Sequence, residues 1–315
     1  MIRIPRFRQE IKLPIFCVDD CIATYANIEN RIYQALYVDE LHMDFHYKDT
    51  VLEVVFSDEY LENLKLYGGI KIVDISETEN LIDYLKEALE KEKNILMEFK
   101  GIECPWDWRY QSLDLGSHTF LLREWKNKER VFYGIDPFYQ KEHVELKISQ
   151  IMRGYLGSKT IEKQNILEMD LLEGMRDRIH SQEYYERLEE YIMDFTSFNR
   201  VKHELELLKD NGVVDEYKLE NCKYIQSLLN CVYSRLRYAV MIEFLGEKYK
   251  ITNYFENGMI PYIESSSLWE KLRDIVLKSI IMNRECKERE RIVIIKKIIS
   301  MEKKAAFFLR SSCEK

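Results

Sequence analysis

The hydrophobic pattern changes character about halfway along the chain. In the first half, short apolar runs alternate between helical and strand spacing. Ile22, Tyr25, Ala26, Ile32, Tyr33 and Leu36 recur every three or four residues, which predicts a helix with one apolar stripe ending near Leu36. Asp19 or Asp20 is placed to cap that helix, and Cys21 follows at its head. Leu41, Met43 and Phe45 alternate with His42, Asp44 and His46, the period of a half-buried strand. Val51 to Phe56 reads as a second strand, and Ser57 to Tyr67 as a short helix stopped by Gly68-Gly69. Ile70 to Ile75 is apolar and β-branched, hence a strand. Ser76 with Glu79 forms a capping-box signature for a helix to about Lys91, and Asn94 to Phe99 is another strand.

A loop of different composition, Gly101 to Ser117, comes next and holds Cys104-Pro105-Trp106-Asp107-Trp108-Arg109-Tyr110. It leads into an antiparallel hairpin, His118 to Trp125 and Arg130 to Ile135, turning on Lys126-Asn127-Lys128-Glu129 and closed by Asp136-Pro137. From about Ile148 strand signals nearly vanish. Helical periods dominate at Tyr184 to Phe195, Val201 to Leu208, Leu219 to Phe244, Leu268 to Ile281 and Ile292 to Phe308. The expected architecture is α+β, with a mixed domain over residues 1–155 and an all-helical domain over 156–315. Residues 1–16, interrupted by Pro5 and Pro14, read as an extended arm.

Composition narrows the function. The chain has 315 residues, 46% of them hydrophobic, with only 11 Gly and 5 Pro, which favours long helices over a barrel of many short strands. A net charge of −8 argues against bulk attraction to nucleic acid or an anionic membrane. The sign is locally reversed from Asn283 to Lys315, with ten Lys/Arg against five Asp/Glu, so a basic face is open to that segment. No run has the ~18 apolar residues of a membrane span, and the N-terminus shows no signal-peptide core. The seven Cys are an odd number, scattered, and form no CxxC pair. The expected setting is therefore a reducing cytoplasm, with neither a disulfide frame nor a structural zinc. His42 and His46 share a strand face, but nothing else has metal-ligand spacing, so no metal site is assigned. No phosphate-binding glycine motif occurs, so no nucleotide cofactor is expected.

Candidate chemistry rests on three residues. A helix N-terminus lowers the pKa of a cysteine by stabilising the thiolate, and Cys21 is predicted at such a place. His118 opens the hairpin and Asp136 closes it at a similar distance from the turn, so the two are expected to be cross-strand neighbours. A carboxylate beside an imidazole orients it, as in a catalytic triad. Cys17, four residues earlier, is the rival nucleophile; it follows Pro14 in a stretch expected to be extended, so Cys21 is preferred. Trp106, Trp108 and Tyr110 are candidates for a substrate wall. Cys104 in the same loop reads as a packing residue.

The order Asp-Cys at a helix head, then His-Thr-Phe-Leu-Leu, then Tyr-Gly-Ile-Asp-Pro resembles the papain-like fold of the bacteriocin-processing (C39-like) cysteine peptidases. It is closer to the butirosin-biosynthesis acyltransferase type found beside thiotemplated pathways. The resemblance covers about residues 14–150. It implies Cys21 as nucleophile, His118 as general base and acid, and Asp136 as the orienting carboxylate. The peptidases have a Gln six residues before their Cys, where this chain has Ile15. The function implied is transfer of an acyl group from a carrier-protein phosphopantetheine thioester, through acyl-Cys, onto a small-molecule amine, a diamine included. The partners implied are an acyl or peptidyl carrier protein and the amine, and no cofactor is needed because the phosphopantetheine arm belongs to the carrier. The alternative is a cysteine peptidase or amidase that hydrolyses amides with the same three residues.

Overall fold

The computed structural model describes residues 17–41, 43–48, 51–56, 59–75, 80–112, 116–165, 171–176, 178–207, 222–251, 253–284 and 288–313. The expected N-terminal arm, Ile15, His42 and the Ser76–Glu79 capping box lie outside these residues, as does the side chain of His46. The fold is α+β, a six-stranded antiparallel sheet with a larger helical complement. No described helix is long and apolar enough to cross a membrane.

The chain divides into two compact units. The first comprises residues 1–35 and 61–168, the second residues 36–60 and 169–315. This moves the boundary from the expected 155/156 and makes the second unit more than helical. A hairpin of β1 (Met43–Lys48) and β2 (Val51–Phe56) belongs to it.

The first unit opens with α1 (Cys17–Ile28). It contains α2 (Tyr60–Gly68), β3 (Ile70–Asp74), α3 (Leu81–Glu90) and β4 (Asn94–Lys100). There follow β5 (Ser117–Lys126), β6 (Val131–Asp136), β7 (Lys141–Lys147), α4 (Ile148–Gly154) and β8 (Tyr155–Lys163). The sheet order is β3-β8-β4-β5-β6-β7. The domain boundary shifts because β8 inserts between β3 and β4. Its buried positions include Gly157, Ser158 and Thr160, which carry no hydrophobic alternation.

α3 lays Leu85, Ala88 and Leu89 on Met97 and Phe99 of β4 and on Phe120 and Leu122 of β5. Each of these larger side chains contributes roughly 1.5–3 kcal/mol on burial, so the middle of the sheet is a rigid platform. α1 packs against β5 and β4. It begins at Cys17, two to three residues before the expected cap, with Asp19 and Asp20 in its first turn. Acidic residues are favoured in a first turn as well as at an N-cap, so two aspartates alone leave the helix start open by a few residues. The helix ends at Ile28, and Gln34–Tyr37 forms a separate 3₁₀ turn that carries Leu36.

The second unit contains α5 (Leu171–Arg176), α6 (Gln182–Phe195), α7 (Phe198–Leu207), α8 (Lys223–Tyr249), α9 (Ile260–Ile281) and α10 (Glu288–Cys313). Ser181 caps α6 by accepting from the Tyr184 N–H. Arg235 of α8 and Glu302 of α10 meet in the core of this unit, both about 1% exposed.

Candidate active site

The hairpin brings His118 and Asp136 together, but not through the expected register. Lys126 pairs with Val131 and Glu124 with Tyr133; a bulge at Arg123 then shifts the ladder, so Leu122 pairs with Gly134 and Leu121 with Ile135. Continuing that register puts Asp136 opposite Phe120, two residues along from His118 and on the same face. The contact is thus diagonal, within reach of a long side chain. Gly134 makes the shift possible, because a Cβ there would stand 2.2 Å from the Leu121 carbonyl oxygen. The His118 Nε2 and Asp136 Oδ2 atoms are 2.5 Å apart, and both residues are buried.

Asp136 is held on three sides. The Trp106 indole Nε1–H donates to its Oδ2 at 2.5 Å, and the Tyr139 backbone N–H donates to its Oδ1 at 3.2 Å. The Asp136-Pro137 turn therefore closes the hairpin and aims the carboxylate at once. Trp106 also packs edge-on against Phe120, with ring centroids 5.2 Å apart. Its place is behind the carboxylate, not on the substrate wall expected from the sequence. Trp106→Phe is expected to keep the packing and lose the indole bond, lowering the reactivity of the thiol beside His118 about ten-fold; stopped-flow alkylation checks this.

The sulfur that reaches the imidazole is that of Cys17. His118 bonds Asp136 through Nε2, and the Cys17 side chain lies near enough to the ring to raise its pKa. Cys17 is the first residue of α1, where backbone N–H groups lack intrahelical partners and the helix dipole favours negative charge. It is half-buried.

Thr119 of β5 separates the two cysteines by chemistry. Its backbone N–H donates to Cys17 Sγ at 3.3 Å, while its carbonyl accepts from Cys21 Sγ at 3.6 Å. The two sulfurs thus take opposite hydrogen-bond roles, Cys17 as acceptor and Cys21 as donor. Cys21 is fully buried, and that burial, followed by the nearby Asp136, Cys17, Asp20 and Asp19, pushes its thiol well above the ordinary range. The sequence places Cys21 beside the imidazole as its partner; in the structure the cysteine beside His118 is Cys17. Cys104 is buried in the apolar cluster and pushed up to about 12, chiefly by burial, which fits its reading as a packing residue.

His118 carries the electrostatic signature of the pair. Burial pulls its pKa down, but the hydrogen bonds to Asp136 and Cys17 and their negative charge outweigh it, raising the ring to about 9. The imidazolium is thus the resident form at neutral pH. A raised folded pKa adds stability that is fully present below the unfolded value of 6.5 and is lost as pH rises through about 9. The stability gap between wild type and His118→Gln is accordingly expected to be wider at pH 6 than at pH 10 in urea denaturation. A gap independent of pH contradicts this charge state.

A second network buttresses the loop. Asp107 accepts from the Arg109 backbone N–H and Nε at 2.8 Å each, and from Nη2 at 2.6 Å. The Tyr139 ring lies 5.2 Å from that of His118, and burial with the nearby Asp107 charge pushes its hydroxyl up to about 12. Burial works against the Asp107 charge, yet Arg109 holds the carboxyl below its usual value. A Cβ at Gly101 would stand 2.6 Å from the Arg109 guanidinium, so any side chain there would displace it. Asp107 and Arg109 lie within the loop read as a substrate wall, but nothing in the sequence marks their pairing or the part of Tyr139. The only signal available was their density in one loop and the following turn.

Of the expected substrate wall, Trp108 is 68% exposed, with the Arg109 guanidinium 5.9 Å from its ring, and Tyr110 is half-buried. Trp108 is the one of the three whose ring is open to a ligand. Among the described residues no three His, Cys, Asp or Glu side chains stand together as a metal-ligand group. No protein-family model matches the chain, and no curated protein matches it.

Proposed function

We propose that this protein is a papain-like thiol acyltransferase, with Cys17 as nucleophile, His118 as the proton carrier and Asp136 as the orienting carboxylate. The observation that carries the proposal is the set of bonds around Cys17. Its sulfur sits at a helix head, accepts from the Thr119 N–H, and faces a buried, protonated imidazole fixed by Asp136. A thiolate–imidazolium pair is the form in which cysteine attacks an acyl carbon.

In the proposed reaction the Cys17 thiolate attacks the carbonyl of an acyl thioester, and the oxygen becomes negative. Backbone N–H groups at the head of α1 are the donors proposed to meet that charge. Collapse expels the donor thiolate, which takes the His118 proton and leaves as the thiol. An amine then attacks the acyl-Cys17 carbonyl and gives its proton to the now neutral His118. The second collapse releases the amide and restores the Cys17 thiolate. The thioester is already activated, so the sequence needs no nucleotide. The thioester donor on a carrier protein and the amine acceptor rest on the resemblance to the butirosin-type acyltransferases. Counted from Cys17, the residue six places earlier is Ile11, so the substitution of the hydrolases' Gln persists with Cys17 as nucleophile.

The test is product partition. Acyl-phosphopantetheinyl carrier is supplied with and without a primary amine, and free acid and amide are quantified. Amide that grows with amine concentration at the expense of acid is the expected result. Free acid at an unchanged rate in both arms overturns the transferase reading in favour of a cysteine amidase.

A further inference from the structure

The second unit holds a cavity of about 560 Å³ that the chemistry above does not use. It lies between the start of α6 and one face of α10, a volume within the range that accommodates small organic ligands. Lys303, Lys304 and Arg310 line it along α10, joined by His180 before α6. The described residues that line it include no carboxylate. Glu302, beside Lys303 in sequence, turns away into the core to meet Arg235. A protein of net charge −8 thus concentrates positive charge at one concave place.

The rest of the lining is Tyr185, Ala306 and Phe307, with the uncharged polar Gln182 and Ser300. Tyr185 is buried, while Phe307 stands 76% exposed at the rim. The polar residues are already set. Arg310 Nη2 donates to the Ile179 carbonyl at 2.7 Å, and His180 stacks on Tyr184 with ring centroids 3.6 Å apart. That leaves Arg310 further N–H donors on a fixed guanidinium, and the two lysines as mobile point charges.

We propose that this cavity binds an amphipathic anion: a carboxylate or phosphate monoester head on an acyl or aryl body. The head is met by Lys303, Lys304 and Arg310 through charge-assisted hydrogen bonds, and the body lies along Phe307 and Tyr185. Neither part alone fills the lining, so both are needed for tight binding. The proposal is independent of the acyl-transfer reading, because it involves none of Cys17, His118 or Asp136.

Isothermal titration of the full chain with octyl phosphate and with octanoate tests it. One-to-one binding of at least one of them is expected, with inorganic phosphate and octyltrimethylammonium each weaker by about ten-fold or more. The better of the two anions identifies the head group. Lys303→Gln/Lys304→Gln should weaken that anion by about ten-fold. Phe307→Ser should weaken it while leaving the response to inorganic phosphate unchanged. All three changes are at the surface, and circular dichroism confirms that the variants fold. Equal affinity in wild type and the double variant overturns the proposal, as does equal binding of the cationic amphiphile or an absence of saturable binding.

Discussion

Replacing Cys17 with serine is expected to lower acyl transfer by roughly three orders of magnitude or more, whereas Cys21→Ala retains most of it. The contrast follows from the two bonds of one residue. Thr119 donates to the Cys17 sulfur and accepts from the Cys21 thiol, so the first sulfur is an acceptor near the imidazole and the second is a buried donor turned to a backbone carbonyl. A serine at position 17 keeps the helix head and the imidazole but is a far weaker nucleophile at neutral pH. Cys21→Ala removes a small buried group at a cost of about 1 kcal/mol in stability, and leaves His118 and Asp136 in place. Single-turnover kinetics with an acyl thioester read the first effect, and urea denaturation reads the second. Loss of transfer in Cys21→Ala, with Cys17→Ser still active, reverses the assignment.

The largest effect on stability is expected in the second unit, at Glu302. Its carboxylate accepts from Arg235 Nε at 2.8 Å and Nη2 at 3.0 Å, from Trp269 Nε1 at 3.0 Å, and from the Ser265 hydroxyl. Burial alone would raise the Glu302 carboxyl, but the Arg235 charge and these donors outweigh it and hold the group below its usual value. Glu302→Ala strands the Arg235 guanidinium in a water-free core and is expected to cost about 3–5 kcal/mol, a large share of a typical domain's stability. A double replacement, Arg235→Met with Glu302→Leu, should recover much of that loss, since it removes both charges together. Chemical denaturation of the three proteins checks the order. The sign of the pH dependence follows from the depressed folded pKa: the contribution is present above the unfolded value and is lost as pH falls through the folded one. If Glu302→Ala and the double replacement are equally stable, the cost is cavity formation and not a stranded charge.

Periodicity makes most of the first unit legible. The strand at Asn94, the hairpin around Lys126–Arg130 and the helix over Leu81–Glu90 each follow their two- or 3.6-residue pattern to within a few residues. β8 is not legible, because Gly157, Ser158 and Thr160 are buried by strand pairing and not by hydrophobicity. β7 escapes too: of Lys141–Lys147 only Val144 and Leu146 are buried at the sheet edge. The His118–Asp136 contact can be inferred from the hairpin, although the bulge at Arg123 and Gly134 makes it diagonal. The choice between Cys17 and Cys21 is beyond sequence patterning. The two lie one helical turn apart, so a start misplaced by two or three residues exchanges the head of the helix for its interior. Trp106 was legible as important but not in its role, since its tie to Asp136 spans 30 residues.

The most direct measurement is intact-protein mass spectrometry after exposure to an acyl-pantetheine thioester, followed by peptide mapping. The expected result is one acyl adduct on Cys17, present in wild type and Cys21→Ala and absent from Cys17→Ala. An adduct on Cys21, or none on any protein under conditions where the thioester is consumed, contradicts the assignment of Cys17 as the acyl-carrying nucleophile.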